Sequence, residues 1–384
     1  MTEKLYYENA YTCSFSARVL SCSQGKHGFE VILDRSAFYP EGGGQPGDTG
    51  ILGGVRVSDT HEKGGEIVHY CEKPLEAGAE VEGSIDFARR FDFMQQHSGE
   101  HIVSGLLHAR FGCDNVGFHM GRDTVTIDFN CAITAEELRE VENAANRIIW
   151  ENRPMNVSWP DAETLAALPY RSKKELTGDV RIVECPGVDC CACCGTHVKS
   201  AGEIGLIKLL SVHPFRDGVR IEMLSGGRAY DYVNTAVDQN GAVGALLSAK
   251  ADATAAAVKR LQEELAAANY RLVGLENRVF ADIAAAYKGS SGDVLVFEEG
   301  LSADGVRRLA DAIMAGCSGI CAVFSGSDGE GYKYALGQRD GDLRAKVKEM
   351  NAALHGRGGG KPFFAQGSVQ STRAEIEEFF GSAH

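Results

Sequence analysis

Two widely separated pairs of metal-binding side chains constrain how this chain can fold. His97 and His101 lie in the run QQHSGEHIVSGLLHA, and Cys193 and His197 lie in CACCGTHV. Because residues four positions apart share one face of a helix, His97 and His101 can hold one ion together. The second pair lies in a short Gly- and Cys-rich turn that can present a thiolate beside an imidazole. Three imidazoles and one thiolate suit zinc in ligand type and number. The sequence therefore predicts one zinc site built from both pairs.

Two other interpretations of these residues stay open. The histidines can be packed core residues that lie beside reduced structural cysteines. Cys190 and Cys193 also form a C-x2-C pair, which is typical of a zinc knuckle or an iron–sulfur site. No second C-x2-C pair with matching context follows, so we favour the His/Cys site.

Length and composition are those of a soluble protein with more than one domain. The chain has 384 residues, which favours two or three domains, and 44% of them are hydrophobic and 24% charged. No apolar run reaches membrane-spanning length, and the N-terminal MTEKLYYENAY lacks a signal-peptide pattern. We therefore expect a cytoplasmic protein without a membrane partner. In that compartment its twelve cysteines are expected to be thiols and metal ligands, not disulfides.

The formal net charge of −14 argues against a protein that coats nucleic acid, because phosphate binding needs clustered Lys and Arg. The charges are unevenly distributed, however, so RNA binding by part of the surface is compatible with this net charge. Basic residues gather towards the C-terminus at Arg344, Lys346, Lys348, Arg357 and Lys361.

The pattern of apolar and turn residues predicts an α+β multidomain fold. Short alternating runs split by glycine fit a small β-barrel at the N-terminus. Helix and strand patterns follow, then an Ala-rich segment without proline, and finally a strand–helix alternation. The predicted parts are a β-barrel with a Gly-rich motif (1–90), an α+β unit with the metal helix near 95–111 (91–235), a helical or coiled-coil connector (236–288) and a small α/β domain (289–384).

The connector carries a heptad stripe of apolar residues. Its members step by three and four positions, which favours a coiled-coil or helical-hairpin contact. Burial of the stripe against its own domain is the alternative. The stripe consists of Val258, Leu261, Leu265, Ala268, Leu272, Leu275 and Val279.

Two glycine-rich motifs lie outside the metal-binding runs. The first, FYPEGGGQPGDTG at 38–50, predicts a backbone with positive φ angles that approaches another group closely. The second, HGRGGGKPFFAQG at 355–367, places Arg357 and Lys361 on either side of three glycines. A loop of backbone N–H groups flanked by cations suits phosphate. A surface loop and a tight turn are the respective alternatives.

With these motifs in order, the chain resembles the long form of the alanyl-tRNA editing proteins, the AlaX group. The resemblance covers essentially the whole length and rests on FYPEGGGQPGDTG, HSGEH, CCGTHV and HGRGGGKPFFAQG. The same motifs occur in this order in the editing and C-terminal regions of alanyl-tRNA synthetases.

This resemblance implies a trans-editing hydrolase that removes serine, or glycine, from mischarged tRNA(Ala). It places the zinc ligands on His97, His101, Cys193 and His197. It also implies a homodimer, and a last domain, called DHHA1, that contacts tRNA. The tRNA-binding residues expected there are Arg357, Gly358, Gly359, Gly360 and Lys361.

The resemblance implies the catalytic residues less directly than it implies the zinc ligands. Synthetase editing helices often carry Thr where this chain has Glu100, and His119 is the best equivalent of the residue that senses the substrate hydroxyl. We expect His119, Gln45 or Glu100 to contact the serine hydroxyl, and His119 or Gln45 to orient the attacking water. A pocket that hydrogen-bonds this hydroxyl would leave polar groups unpaired with alanine.

Four protein ligands make a closed zinc site, whereas catalytic zinc usually keeps one position open. We therefore expect zinc chiefly to position the substrate. One rival is a non-catalytic, zinc-stabilised tRNA-binding or oligomerisation protein. A zinc protease is disfavoured because Ser98 stands where that helix motif needs Glu. A DHH-type phosphoesterase is disfavoured because no Asp-His-His occurs.

Overall fold

In the computed structural model, which describes residues 2–26, 28–172 and 179–381, the chain divides into two units. They are Met1–Asn240 and Gly241–His384. Both contain sheets and helices, so the predicted α+β multidomain class is confirmed.

A closed six-stranded barrel forms the beginning of the first unit. Its strands follow the order β2-β3-β7-β6-β5-β8, and alternate residues such as Val19, Val31 and Leu33 fill its interior. A short parallel pair, β1 and β4, lies beside it. The elements are β1 (Glu3–Lys4), α1 (Leu5–Glu8), β2 (Ser14–Gly25), β3 (Gly28–Leu33), β4 (Arg35–Ser36), β5 (Gly50–Leu52), β6 (Val55–Lys63), β7 (Glu66–Cys71) and β8 (Glu80–Ile85).

A long central helix and a four-stranded antiparallel sheet make up most of the rest of this unit. The sheet order is β14-β15-β10-β9, and a three-stranded sheet has the order β11-β12-β13. The elements are α2 (Phe87–Phe111), β9 (Asn115–Met120), β10 (Val125–Phe129), α3 (Ala135–Trp150), β11 (Asn156–Ser158), α4 (Ala162–Ala167), β12 (Ile182–Cys185), β13 (Asp189–Ala192), a 3₁₀ turn (Ala201–Ile204), β14 (Ile207–Phe215), β15 (Gly218–Ser225) and α5 (Gly226–Leu247), which runs across the division.

Helix α2 positions the first pair of metal-binding residues. It begins at Phe87, earlier than predicted, because the Asp86 side chain accepts a hydrogen bond from the Arg89 N–H and caps the helix. It ends where Gly112 adopts a left-handed conformation with φ 66°. Ile102 and Leu107 are fully buried in the core that α2 shares with the neighbouring sheet. The helix predicted after Thr134 is confirmed as α3, with Thr134 and Glu137 forming a capping box.

A buried ion pair joins the first glycine-rich motif to helix α2. The Nε of Arg90 donates to Oδ1 of Asp48 at 3.0 Å, and the guanidinium also donates to the carbonyl oxygens of Ala10 and Ala37. Both charged side chains are essentially inaccessible, at 0% and 1% exposure. The Asp48 carboxylate accepts a further bond from the Tyr39 N–H at 2.7 Å. This network fixes the motif relative to the helix.

Cys113 and Cys131 form a disulfide, so the prediction that the cysteines are not disulfide-bonded is wrong for these two. They flank the antiparallel strands β9 and β10, whose pairing brings the two Cα atoms to 5.7 Å. This separation lies within the range for a disulfide. The other cysteines of the chain are free.

The second unit is built on a mixed five-stranded sheet with the order β16-β17-β18-β20-β19. Helix α6 precedes it, and only Ala257 and Phe280 of that helix are buried. Its heptad stripe is exposed instead, so the alternative of burial against its own domain is wrong. The elements are α6 (Thr254–Ala286), β16 (Val294–Phe297), α7 (Ala303–Met314), β17 (Cys321–Ser327), β18 (Gly331–Gly337), α8 (Arg344–Ala353), β19 (Arg357–Lys361), β20 (Phe364–Val369) and α9 (Arg373–Gly381).

The second glycine-rich motif forms the exposed edge strand β19, which corrects the predicted loop. Gly358, Gly359 and Gly360 pair with β20 and lack the positive φ angles of a backbone nest. Glycine is required for a different reason. A Cβ on Gly358 would collide with the Tyr334 hydroxyl and the carbonyl oxygen of Gln366. Gly358 and Gly360 therefore allow close packing of the edge strand on its sheet, whereas a Cβ on Gly359 would meet no atom.

None of the described helices combines the length and apolar character that crossing a membrane requires.

Candidate metal centre

The fold brings both predicted ligand pairs to one place. His97 and His101 project from α2, while Cys193 and His197 lie in the turn that follows β13. One ligand atom from each lies within 4.8 Å of all the others. The Cys193 sulfur is 3.5 Å from Nε2 of His97 and 3.4 Å from Nε2 of His197.

These separations fit a metal ion with tetrahedral coordination. Zinc ligands lie at about 2.0–2.3 Å from the ion, so neighbouring ligand atoms in a tetrahedral site are about 3.5 Å apart. All three imidazoles are at least 96% buried, with exposures of 3%, 3% and 4% for His97, His101 and His197. The donor set and its spacing therefore suit zinc better than a hard cation that prefers oxygen ligands.

Each imidazole is oriented by a hydrogen bond at its other nitrogen. Nδ1 of His97 contacts Oε1 of Gln45 at 3.1 Å, and Nδ1 of His101 contacts Oδ2 of Asp189 at 2.9 Å. Nδ1 of His197 contacts the Ser98 hydroxyl at 3.2 Å. Such partners fix the ring and its tautomer, leaving Nε2 as the metal ligand.

Two glycines permit the close approach of these segments. A Cβ on Gly195 would overlap the His97 ring, so only glycine lets the Cys193 turn pass against that imidazole. Gly44 has φ +84°, and a Cβ there would be 2.5 Å from the Phe118 ring. The first glycine-rich motif thus does take positive φ angles at a close contact, as predicted.

The Cys193 turn is held from behind by a buried arginine. Nη1 of Arg181 donates to the carbonyl oxygens of Cys193 and Gly195 at 2.7 and 2.8 Å. Only 5% of Arg181 is exposed. These bonds fix the backbone at Cys193 and at Gly195. They therefore hold the Cys193 thiol in one direction.

The charges of the cluster favour ionised sulfur. Burial raises the pKa of the Cys193 thiol, but the imidazoles of His97, His101 and His197 outweigh burial and hold this pKa well below its usual range. Burial lowers the pKa of His101, yet Cys193 and Asp189 hold it well above its usual range. Because zinc binds a thiolate and neutral imidazoles, metal binding at this cluster competes with protons.

A cavity of about 260 Å³ opens onto the cluster. It is large enough for an amino acid but small beside typical ligand pockets. Glu100 is the carboxylate among its described lining residues. The cavity is lined by Gly43, His97, Glu100, His101, Arg171, Ser172, Cys191, Ala192, Cys193 and Cys194.

The Glu100 carboxylate is held at one oxygen. Its Oε1 accepts hydrogen bonds from the Ser104 hydroxyl, at 2.7 Å, and from the Asn115 side-chain amide. Its Oε2 lies 4.0 Å from Nε2 of His101, on the metal side of that ring. Glu100 is 4% exposed. One carboxylate oxygen therefore lies near one of the metal-binding nitrogens.

The other two predicted catalytic residues are not among the residues that line the cavity. Gln45 is fully buried, and its side chain contacts the Thr196 hydroxyl, the Thr196 N–H and His97, which leaves it to position rather than to bind water. His119 is exposed on β9, where strand alternation turns Phe118 towards His97 and His119 away from it. Of the three candidates, Glu100 is the one that lines the cavity.

Several residues of the site were not singled out from the sequence. Asp189 contacts His101, Asn115 contacts Glu100, and Arg181 holds the backbone of the Cys193 turn; none of the three belongs to a motif of its own. One signal was present for Asp189, which directly precedes the Cys run. An acidic residue beside a ligand segment is a common partner of a metal-bound histidine.

Replacing Asp189 with Asn should lower zinc affinity about 10- to 100-fold, because His101 loses the carboxylate that orients it and raises its basicity. The matched control is Asp128→Asn, which also removes a carboxylate paired with an arginine, here Arg220 on the neighbouring strand. Competition with a chromophoric chelator measures both. Equal zinc affinity of Asp189→Asn and wild type would show that Asp189 does not support the site.

Comparison with known proteins gives two matches to family models. Residues 2–89 match the family model described as tRNA synthetases class II (A), and residues 180–222 match the threonyl and alanyl tRNA synthetase second additional domain. The second match contains Cys193 and His197.

Individual relatives extend this similarity to nearly the whole chain. The alanyl-tRNA editing protein AlaX-L of Pyrococcus horikoshii is 30% identical over 98% of this chain and 96% of its own length. An alanine–tRNA ligase of Thermofilum pendens is 32% identical over 97% of this chain but 43% of its own length. The alanyl-tRNA editing protein Aarsd1-B of Xenopus laevis is 34% identical over 62% of this chain and 60% of its own. With near-complete coverage of AlaX-L in both directions, the chain belongs to the alanyl-tRNA editing protein family.

Proposed function

We propose that this protein is a trans-editing hydrolase that removes serine from mischarged tRNA(Ala). The observation that carries the proposal is the cavity on which the His97, His101, Cys193 and His197 cluster and the Glu100 carboxylate meet. The family membership supports tRNA(Ala) as the substrate carrier, because its relatives are named for editing alanyl-tRNA.

Zinc is the metal we assign to the cluster, on the donor set and the sulfur–nitrogen distances. When bound, zinc supplies electrophilic activation and an anchor for the aminoacyl group. The protein's own side chains do the rest. Gln45, Asp189 and Ser98 hold the three imidazole rings, and the small cavity limits the size of the acyl group.

Glu100 accounts for the preference for serine over alanine. Its Oε2 is directed to the cavity and can accept a hydrogen bond from the serine hydroxyl. Alanine lacks this hydroxyl and makes one hydrogen bond fewer to Oε2, which lowers the reaction rate. Glycine fits the same cavity but also lacks the hydroxyl, so we propose glycyl-tRNA(Ala) as a slower substrate.

A non-catalytic zinc-stabilised protein that binds tRNA is the alternative, and it is favoured by the closed set of four protein ligands. Single-turnover deacylation of seryl-tRNA(Ala) and alanyl-tRNA(Ala) by the zinc-loaded protein separates the two. Release of serine that is about 100-fold faster than release of alanine supports the hydrolase. Binding of tRNA without turnover of either ester would support the alternative.

The second unit offers a basic surface for tRNA contact. Arg357 and Lys361 lie at the two ends of edge strand β19, and a cavity of about 350 Å³ is lined by the glycines of this strand with Arg344 and Lys348 of α8. We propose that these cations and the exposed strand bind tRNA phosphates. The four predicted parts, 1–90, 91–235, 236–288 and 289–384, remain our proposed functional modules.

We also propose a homodimer held by helix α6. Its exposed stripe repeats with the heptad period of a coiled-coil seam, and exposures of 51%, 60% and 54% for Leu261, Leu265 and Leu272 leave a large apolar face uncovered. We propose that helix α6 of a second copy of the chain covers this stripe, because it carries apolar residues with the same heptad spacing.

Replacing Leu265 and Leu272 with Glu should convert the dimer to a monomer, because both positions would bring like charges into the seam. Light scattering at micromolar concentration measures the mass. Tyr270→Glu, on the opposite face of the helix and 83% exposed, is the control and should leave the dimer intact. A monomeric wild type would contradict the proposal.

A further inference from the structure

We propose that the cavity requires a free α-ammonium group on the aminoacyl ester, and that Glu100 is the residue that recognises it. The enzyme would then hydrolyse aminoacyl-tRNA but reject N-acylated aminoacyl-tRNA and peptidyl-tRNA. This inference rests on the proposed hydrolase function and specifies which chemical class of ester the site accepts.

The first step in the argument is that Glu100 is held in one orientation. Ser104 and Asn115 both donate to Oε1, and the Asn115 amide also contacts the Ser104 hydroxyl at 3.1 Å. Ser104 is fully buried, and Asn115 is 6% exposed. Three mutually bonded groups therefore fix the carboxylate plane, and Oε2 remains on the cavity side.

The second step is that Oε2 lacks a donor. Over the described ranges 2–26, 28–172 and 179–381, the basic nitrogen that approaches this oxygen is Nε2 of His101, at 4.0 Å. That nitrogen is a metal ligand, which uses its lone pair and carries no proton when metal is bound. Arg171 lines the same cavity, but its Nε donates to Asp189 at 2.8 Å. The charge of Arg171 acts on Glu100, but among the described residues no hydrogen bond reaches Oε2, so a cationic ligand can supply the donor that this oxygen lacks.

The third step is the geometry of the substrate. In an aminoacyl ester the ammonium nitrogen and the reacting carbonyl are attached to the same α-carbon. His101 Nε2 and Glu100 Oε2 are 4.0 Å apart. One aminoacyl group can therefore contact the metal site and the Glu100 carboxylate at the same time. The seryl hydroxyl and ammonium lie on adjacent carbons, so one oxygen with two lone pairs can accept from both. N-Acylation removes the charge, and the added acyl group must also fit the cavity of about 260 Å³.

Binding can be measured separately from turnover. The probes are 3′-(L-seryl)amino-3′-deoxyadenosine, which has an amide in place of the ester, and its N-acetyl derivative. A hydrogen bond to a charged group contributes about 1.5–3 kcal/mol, so wild type should bind the free amine about 10- to 100-fold more tightly than the acetylated probe. Glu100→Gln, which keeps the side-chain size and removes the charge, should bind both about equally. Equal binding of both probes by wild type would overturn the inference.

Kinetics give the second readout. Zinc-loaded wild type should hydrolyse seryl-tRNA(Ala) at least about 10-fold faster than N-acetyl-seryl-tRNA(Ala), and Glu100→Gln should reduce this ratio towards one. Zinc content of both proteins is measured in parallel, so that loss of metal is distinguished from loss of recognition. Hydrolysis of both esters by wild type at similar rates would overturn the inference and leave the hydrolase intact. Failure to hydrolyse either ester would overturn the proposed function and the inference with it.

Discussion

Cys193→Ala is expected to lose bound zinc and to lower the rate of seryl-tRNA(Ala) deacylation by about 10³-fold or more. The thiolate contacts two of the imidazoles, and its charge is what the histidine cluster stabilises. Without it, three neutral donors remain and the anchor for the metal is incomplete. Metal analysis and single-turnover deacylation measure the two effects on the same sample.

Cys190→Ala is the matched control, because Cys190 is a free cysteine of the same segment that belongs to none of the metal-type clusters of the described residues. It should retain zinc and activity. Removing the metal from wild type with a chelator should lower its deacylation rate to that of Cys193→Ala. Added zinc should restore the rate of wild type but not that of the variant. Full activity of Cys193→Ala without zinc would show that the metal has no part in the reaction.

Arg90→Met is expected to lower the free energy of unfolding by about 3–5 kcal/mol. The change leaves the Asp48 carboxylate buried, at 1% exposure, without its cationic partner, and it frees the carbonyl oxygens of Ala10 and Ala37. Asp48 belongs to the motif that carries Gln45, and Arg90 belongs to the helix that carries His97. Weaker zinc binding should therefore accompany the loss of stability. Urea denaturation followed by circular dichroism measures the stability.

Arg220→Met serves as the control for this variant. Arg220 also makes a bidentate pair, with Asp128, but its side chain is 39% exposed on the sheet surface. Pairs of that kind contribute about 0–1 kcal/mol. Equal destabilisation by Arg90→Met and Arg220→Met would show that the buried pair does not hold the first unit together.

The metal cluster was predictable from the sequence because its evidence is local. His97 and His101 have helical spacing, and the ligand types in both pairs are those of zinc. The capping box at Thr134 and Glu137 is equally local and is confirmed. The start of α2 was placed too late because a cap at Asp86 depends on side-chain geometry that spacing does not reveal.

The residues that orient the ligands were not predictable in this way. Gln45 comes from the first glycine-rich motif and Asp189 from the start of β13, and only the tertiary fold brings them to the imidazoles. His119 points away from the cluster because a single-residue step along a strand reverses the face to which a side chain points, and its catalytic role stays a prediction. Its neighbour Phe118 takes the position against His97.

The second glycine-rich motif shows a different limit. Glycine has no side chain, so a glycine strand shows no alternation of apolar and polar residues. The run from Gly358 to Gly360 was therefore predicted as a loop, whereas contacts with Tyr334 and β20 make it a strand. The disulfide between Cys113 and Cys131 was missed because a cytoplasmic protein was expected to hold its cysteines as thiols. Pairing of strands β9 and β10 brings the two residues together.

The most direct test of the central claim is X-ray absorption spectroscopy at the zinc edge of the purified protein. The proposed site predicts one zinc ion per chain with three nitrogen ligands at about 2.0–2.1 Å and one sulfur ligand at about 2.3 Å. Cys193→Ala should lose the sulfur shell, and Cys190→Ala should keep it. A wild-type site with two or more sulfur ligands, or a protein that binds no zinc, would contradict the assignment of His97, His101, Cys193 and His197 as the metal centre.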